Sequence, residues 1–123
     1  MKIVLKFGGT SLASPKDIRN VAKTITSFSK GNQIVVVCSA VDGVTDDLIT
    51  ISRLIEQRRK NNIVANLNGV IIKHRKLANQ TIKNSVIKKQ LLEKLNTDVS
   101  ELQELVRGLT LLKEVSARSL DYL

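Results

Sequence analysis

Two short apolar runs, each followed by a loop of small residues, constrain the fold of this 123-residue chain more than any other feature. The first run is Ile3-Val4-Leu5, and the second, Gln33-Ile34-Val35-Val36-Val37-Cys38, is typical of a fully buried strand. The segment between them predicts a helix with Ser14 as N-cap, Pro15 in the first turn and Gly31 at its end. A right-handed crossover of this length gives a parallel βαβ unit. The sequence therefore predicts an α/β fold.

The first strand ends in a lysine and two adjacent glycines, in the order Lys6-Phe7-Gly8-Gly9-Thr10-Ser11. Glycine has no Cβ and tolerates φ > 0, so such a strand end can turn sharply and bring its backbone close to a ligand. The N–H groups of the turn can hold an anion, and Lys6 adds a compact positive charge that suits phosphate oxygens. The pattern indicates a phosphate site, with an ordinary strand-end turn as the alternative.

The second strand leads into a loop of small and polar residues that runs from Ser39 to Asp47. Parallel strands deliver their following loops to the same edge of a sheet, and ligands of open α/β sheets bind at that edge. Within the loop, Thr45 is positioned to cap the next helix, with Asp46 and Asp47 complementing the helix dipole in its first turn. The two loops are thus expected to lie side by side.

These residues carry a resemblance to a known family. The segments 6–11, KFGGTS, and 35–48, VVVCSAVDGVTDDL, resemble the start of an aspartate kinase, a member of the amino acid kinase family. The segment 105–123 resembles the part of such enzymes that leads to a Gly-Glu-Arg-Leu motif, although family members often have proline in place of Ala117 and serine in place of Cys38. The resemblance implies an α/β fold: the N-terminal portion of the three-layer amino acid kinase fold, a parallel βαβ unit followed by several helices.

The resemblance also implies an activity, the transfer of the γ-phosphoryl group of ATP, with Mg²⁺, to the side-chain carboxylate of L-aspartate in lysine, threonine and methionine biosynthesis. In that reaction Lys6 is the catalytic residue that neutralises the transferring group, and Ser39 and Thr45 bind the aspartate. None of the matched positions is a metal ligand in the family. The expected ATP- and phosphate-binding residues follow the first strand: Lys6, Phe7, Gly8, Gly9, Thr10 and Ser11.

The family's remaining catalytic elements are not matched by any part of this sequence. The resemblance places its Gly-Glu motif, nucleotide-base pocket and catalytic aspartate beyond Leu123, so residues 1–123 are expected to be one N-terminal fragment of the catalytic domain. We expect negligible kinase activity from this fragment alone. Two paired strands leave exposed sheet edges, which favours self-association or strand swapping, and the intact enzyme is expected to be a homo-oligomer.

The rest of the chain predicts helices. One helix is expected from Thr45 to Arg59, a second from Val64 onward and a third from Ser85 to Leu95. Asn96-Thr97-Asp98 is expected to break the pattern, and a last helix then follows with Glu101 completing a capping box. Its predicted apolar stripe consists of Leu102, Leu105, Val106, Leu109 and Leu112.

The charge distribution supports a competing interpretation. The formal net charge is +9, and residues 53–94 hold 11 of the 20 Lys and Arg but only Glu56 and Glu93 among the acids. A basic helical module could bind nucleic acid or an acidic surface. However, these cations alternate with apolar positions as on a solvated helix face, and the only aromatic residues are Phe7, Phe28 and Tyr122. We therefore expect no nucleic-acid partner. The alternatives to an aspartate kinase are such a basic module, without catalytic activity, and an amino acid kinase with a different acceptor.

The sequence contains one cysteine and one histidine, which limits the disulfides and metal sites that it can form. Cys38 lies in the second strand and is expected to be buried and inert, without an intrachain disulfide. A lone histidine cannot form a metal site, so His74 is expected to be packed at or near the core. No signal peptide or apolar segment of spanning length is present, which predicts a cytoplasmic protein without membrane contact.

Overall fold

The computed structural model describes residues 1–112 and 115–120 of the chain. These residues divide into two compact units, Met1–Thr45 and Asp46–Leu123. The first unit holds the strands and the second consists of helices. This combination of a parallel two-stranded sheet with several helices confirms the predicted α/β class.

The first unit is a βαβ unit. Strand β1 spans Lys2–Phe7, helix α1 spans Pro15–Ser29 and strand β2 spans Gln33–Cys38. The strands are parallel, with Lys2 opposite Gln33 and Phe7 opposite Cys38 at the two ends of the ladder. Helix α1 packs against both strands, so the predicted crossover and its pairing are confirmed.

Helix α1 begins and ends where its sequence signals predict. The Ser14 hydroxyl accepts a hydrogen bond from the Asp17 N–H at 3.2 Å and also donates to the Asp17 carboxylate. Pro15 occupies the first turn, where its missing N–H costs nothing. Beyond the last turn, Gly31 adopts φ +75°, a left-handed conformation that favours glycine and reverses the chain into β2.

The sheet is less buried than its sequence predicts. Ile3, Leu5 and Phe7 alternate as half-buried residues along β1, whereas in β2 only Ile34 is half-buried. Val35 is 55% exposed, so the prediction of a fully buried second strand is wrong. A continuous apolar run reaches full burial only when both faces of the sheet are covered, and the described residues cover one face of this sheet with α1.

Cys38 shares this exposure. It is the last residue of β2, and its side chain is open to solvent, so the prediction of a buried cysteine is also wrong. The error has the same physical cause, because the prediction for Cys38 rested on the apolar run that ends at this residue. Its thiol is accessible to reagents in solution.

The second unit contains most of the fully buried apolar side chains. Helix α2 spans Val44–Glu56, starting at the end of the first unit; α3 spans Lys60–Thr81, α4 Ser85–Leu112 and α5 Ala117–Leu120. Helices α3 and α4 pack against each other. Buried apolar residues recur at helical spacing along α2, α3 and α4: Ile51, Ile55, Ile63, Leu67, Val70, Ile71, Val106 and Leu109.

Helix α2 ends at Glu56, three residues before the predicted end, and α3 starts at Lys60, four residues before its prediction. The cause is a helix-ending motif without glycine. Arg58 adopts φ 57°, its N–H donates to the Ile55 carbonyl at 3.0 Å, and the Arg59 N–H donates to the Leu54 carbonyl at 3.0 Å. This is the Schellman pattern, with arginine at the left-handed position that glycine usually fills.

Helix α4 runs without interruption through the predicted break at Asn96-Thr97-Asp98. The polar side chains of this segment interact with residues one helical turn away, so they do not form the local turn that would end the helix. The Thr97 hydroxyl donates to the Glu93 carbonyl at 3.4 Å, and Lys94 pairs with Asp98 at 3.3 Å. Such i,i+4 bonds are compatible with a helix, so a cluster of turn-forming residue types was insufficient to end it.

The predicted apolar stripe of the last segment is confirmed only in part. Val106 and Leu109 are buried and Leu102 and Leu105 are half-buried, but Leu112 is 75% exposed. The part of the family-like segment 105–123 that covers positions 113–114 and 121–123 lies outside the described residues.

His74 occupies a half-buried position on α3, and its Nδ1 lies 2.8 Å from the Val70 carbonyl oxygen. This confirms the predicted packed or rim position. Over residues 1–112 and 115–120, no helix is both long and apolar enough to cross a bilayer.

The Ser14 cap provides a direct test of the first unit. Replacing Ser14 with Ala removes the acceptor for the Asp17 N–H, and we expect the free energy of unfolding to fall by about 1 kcal/mol. Ser27→Ala is the matched control, because the Ser27 hydroxyl bonds only within α1 to the Thr24 carbonyl. Urea unfolding should show a change of no more than about 0.5 kcal/mol for the control. Equal stabilities of wild type and Ser14→Ala would contradict the cap.

Cys38 offers a second test, of the uncovered end of β2. We expect a thiol reagent such as dithiobisnitrobenzoate to modify Cys38 in the folded chain about as fast as in the chain unfolded in urea, because the side chain is exposed. Protection by a factor of about a hundred or more in the folded state would show instead that the end of β2 is covered in solution.

Candidate functional site

The loops that follow the two strands meet at one edge of the sheet. The Ser39 N–H donates to the Phe7 carbonyl oxygen at 2.9 Å, which extends the strand ladder one residue past the end of β2. After β1 the chain passes Gly8 and enters a short 3₁₀ helix, Gly9–Leu12. The backbone of the first loop is therefore tied directly to the start of the second.

Gly9 brings the two loops into close approach. A Cβ placed at Gly9 would lie 3.5 Å from the Asp42 Oδ1 and 3.6 Å from the Ala40 carbonyl oxygen. Both distances correspond to ordinary van der Waals contact for that added methyl group, so the second loop approaches Gly9 to within about the width of a methyl group. Asp42 and Ala40 thus belong to the same edge as the glycines.

Gly8 has a different environment. Its backbone is extended, with φ −79° and ψ 176°, so Gly8 does not use the positive φ that glycine tolerates. A Cβ at this position would meet nothing within 4 Å. Neither the backbone conformation nor the packing of the described residues requires glycine here. The absence of a side chain leaves the space beside the Gly8 backbone open to solvent.

Lys6 lies next to this open space along β1. It is exposed, on the face of the strand opposite the half-buried Leu5 and Phe7, and its register partner on β2 is Val37. Its ammonium group is therefore available to an anion at the sheet edge. Thr10 is exposed, and the Ser11 N–H donates to the Gly8 carbonyl at 3.1 Å, which closes the turn.

The remaining predicted site residues lie on the second loop. Ser39 is exposed at the end of β2. Thr45 is also exposed, but α2 begins at Val44, so Thr45 lies inside the first turn and the prediction that it caps the helix is wrong. The chain enters α2 through Gly43, at φ +75°, and the Val44 N–H donates to the Val41 carbonyl at 3.0 Å. This early turn moves the helix start one residue toward β2.

Two features of this site were not identified from the sequence. The approach of Asp42 to Gly9 joins residues that are 33 positions apart, and no local pattern reports such a contact. The early start of α2 did have a signal, because an Asp-Gly pair such as Asp42-Gly43 is a common turn sequence.

The two segments that meet at this edge carry a lysine, an open glycine backbone and exposed hydroxyl-bearing residues, and the Asp42 carboxylate lies near Gly9. Over residues 1–112 and 115–120, no group of three or more His, Cys, Asp or Glu is placed to hold a metal ion.

Comparison with known proteins matches most of the chain to one family. The family model described as "Amino acid kinase family" matches residues 1–112. The chain is 32% identical over 127 residues to an aspartokinase of Candida albicans, covering 97% of this chain and 22% of that protein. It is 49% identical over 51 residues to an aspartokinase of Corynebacterium glutamicum, covering 41% of this chain and 12% of that protein.

A chloroplastic bifunctional aspartokinase/homoserine dehydrogenase 2 of Arabidopsis thaliana is 31% identical over 119 residues, which cover 97% of this chain and 13% of that protein. The chain thus spans less than a quarter of the length of each of these relatives. The family match extends over both strands, both loops and helices α1 to α4. On this match, the chain belongs to the amino acid kinase family.

Proposed function

We propose that this chain is the N-terminal part of an aspartate kinase, an enzyme that transfers the γ-phosphoryl group of ATP to the side-chain carboxylate of L-aspartate and forms 4-phospho-L-aspartate. The observation that carries the proposal is the junction of the two loops, where the Ser39 N–H bonds to the Phe7 carbonyl and Gly9 faces Asp42. The glycine-containing loop after β1 lies beside the hydroxyl-bearing loop after β2 at this junction, which supports a phosphate side and an acceptor side. The name aspartokinase on relatives that align over 97% of the chain supports aspartate as the acceptor.

The phosphate side of the site is formed by the turn after β1. The open space beside Gly8 allows a phosphate group to approach the backbone, and the Gly8 and Gly9 amides would hold its oxygens. Phe7, Thr10 and Ser11 shape this turn. Lys6 would stabilise the negative charge of the transferring group, which matters because phosphoryl transfer depends mainly on positioning and charge neutralisation.

The acceptor side is formed by the second loop. The Ser39 and Thr45 hydroxyls are exposed and would donate to or accept from L-aspartate, orienting its side-chain carboxylate toward the γ-phosphorus. In the transfer, a carboxylate oxygen forms the new bond to phosphorus, and the bond from phosphorus to the β-γ bridging oxygen breaks, leaving ADP. Mg²⁺ enters with ATP as part of the substrate and bridges its phosphate oxygens.

The proposal extends to the context of the enzyme. We assign it to lysine, threonine and methionine biosynthesis in the cytoplasm, as a homo-oligomer without nucleic-acid or membrane partners. Because the chain spans only 12% to 22% of three aspartokinase relatives, we propose that these 123 residues alone have negligible activity. The exposed strand β2 would favour self-association of the isolated chain, since its valines and unpaired edge can pair with a second copy.

Substitution of Lys6 tests the phosphate assignment. In the complete protein that carries this chain, we expect Lys6→Met to lower kcat/KM for aspartyl phosphate formation by about a hundredfold or more, because a preorganised charge at the transferring group is lost. Lys2→Met is the matched control, since Lys2 is equally exposed and lies on the same face of β1. The assay traps aspartyl phosphate with hydroxylamine over a panel of amino-acid acceptors.

Three results would each contradict one part of the proposed function. Equal losses in the two lysine variants would show that net charge, and not the position of Lys6, is responsible. Transfer to another acceptor but not to aspartate would favour a different amino acid kinase. Aspartyl phosphate formation by the isolated 123-residue chain would contradict the proposed inactivity of the fragment.

Substitution of Gly8 separates a role in binding from a role in folding. We expect Gly8→Ala to leave the free energy of unfolding within about 0.5 kcal/mol of wild type, because its backbone is extended and a Cβ meets no neighbour. In the complete enzyme the same methyl group would obstruct the phosphate and raise KM for ATP about tenfold. Gly31→Ala is the control and should destabilise the fold by about 1 kcal/mol, since Gly31 has φ +75°. An unchanged KM for ATP in Gly8→Ala would contradict the phosphate site.

A further inference from the structure

An ion pair joins helix α3 to the first turn of α2. The Lys73 Nζ lies 2.8 Å from the Asp47 Oδ2, a charge-assisted hydrogen bond between residues 26 positions apart. The ion pairs Lys89–Glu93 and Lys94–Asp98 differ, because each joins neighbours four residues apart within α4. The Lys73–Asp47 pair therefore restrains the position of one helix against another.

The pair is partly protected from solvent. The side chains of Lys73 and Asp47 are 38% and 37% exposed, and they line a shallow cavity of about 390 Å³ together with Ala65, Asn66 and Gly69. Partial burial reduces screening, so such a pair holds its geometry better than a fully exposed one. Asp47 also places a negative charge near the positive end of the α2 dipole, which stabilises the first turn of the helix.

The same helical turn carries a residue of the proposed site. Thr45 precedes Asp47 by two positions, and both lie within the first four residues of α2. A helical turn is stiff, because its backbone is fixed by hydrogen bonds and each residue rises only about 1.5 Å along the axis. By restraining Asp47, the ion pair therefore also stabilises the helical backbone of the turn that carries Thr45.

We propose that Lys73 is a positioning residue for L-aspartate: through Asp47 it holds the first turn of α2 and so fixes the Thr45 hydroxyl that receives the substrate. The inference rests on the proposed function, and it adds a residue outside the strand loops to the specificity of the acceptor side. Lys73 itself contacts Asp47 and not the substrate. Its contribution is to the binding of L-aspartate, so KM for ATP does not depend on it.

The experiment is a double-mutant cycle in the complete protein that carries this chain. The variants are Lys73→Met, Asp47→Asn and the double variant, and steady-state kinetics gives KM for L-aspartate, KM for ATP and kcat. Lys73→Arg retains the charge and tests rescue. Lys76→Met is the matched control, because Lys76 is an exposed lysine one turn further along α3 and its loss changes the net charge equally.

We expect Lys73→Met and Asp47→Asn each to raise KM for L-aspartate roughly fivefold, in keeping with the modest strength of a half-exposed ion pair. KM for ATP should stay within a factor of about two. The double variant should be no worse than either single variant, because both remove the same interaction. Lys73→Arg should recover most of the affinity, and Lys76→Met should resemble wild type.

The outcomes distinguish a failure of the positioning role of Lys73 from a failure of the proposed function. An active wild type with an unchanged KM for L-aspartate in Lys73→Met overturns the positioning role and leaves the proposed function intact. A loss in Lys73→Met without one in Asp47→Asn also overturns it, because the Lys73–Asp47 pair would then not be the cause of the loss. A wild type that phosphorylates other acceptors but not L-aspartate overturns the proposed function, and this inference with it. A loss of equal size in Lys76→Met shows that the overall charge, and not the pair, attracts the substrate.

Discussion

The parallel pairing of β1 with β2 is the constraint on which the site depends. It sets Phe7 opposite Cys38, and the Ser39 N–H then bonds to the Phe7 carbonyl at 2.9 Å. A shift of one residue would turn every side chain of a strand to the opposite face and separate the two loops. Helix α1 maintains the pairing by packing on both strands, with Ser14 and Gly31 fixing its two ends.

Gly8 does not need to be glycine for its backbone conformation or its packing, and this supports the proposed anion site. Glycines in turns usually supply positive φ or avoid a clash, as Gly31 does at φ +75°. Gly8 does neither, since its backbone is extended and its surroundings are open. An open, side-chain-free backbone beside the Lys6 ammonium suits an anion, and the proposed phosphate contact follows from that pairing. The proposed acceptor side includes Thr45, which belongs to a helix whose first turn carries the Asp47–Lys73 ion pair.

Sequence reasoning was effective where the signal is local. The cap at Ser14, the βαβ crossover and the helical periodicity of α3 depend on residues within a few positions of one another, and the structure confirms them. The phosphate loop was predicted from its residue types, and both its role and its ligand contacts stay predictions. Family resemblance then supplied the acceptor residues, which periodicity alone would have left as ordinary loop residues.

The wrong predictions concern features of the structure that depend on burial or on contacts between residues distant in the sequence. Val35 and Cys38 lie in an apolar run that predicts a covered strand, but coverage depends on what packs on the sheet and not on the run itself. Arg58 ends α2 in a conformation expected of glycine, and Thr97 bonds along α4 where its residue type predicts a break. The approach of Asp42 to Gly9 and the ion pair of Asp47 with Lys73 join distant parts of the sequence, and no local sequence pattern predicts either of them.

The most direct test of the central claim is an NMR titration of the ¹⁵N-labelled chain with magnesium tripolyphosphate, which presents the phosphate groups without a nucleotide base. The account predicts amide shift changes concentrated at Gly8, Gly9 and Ser39, where the two loops meet. Changes confined to the lysines and arginines of α3 and α4, with none in the two loops, would contradict it and favour a basic binding surface instead.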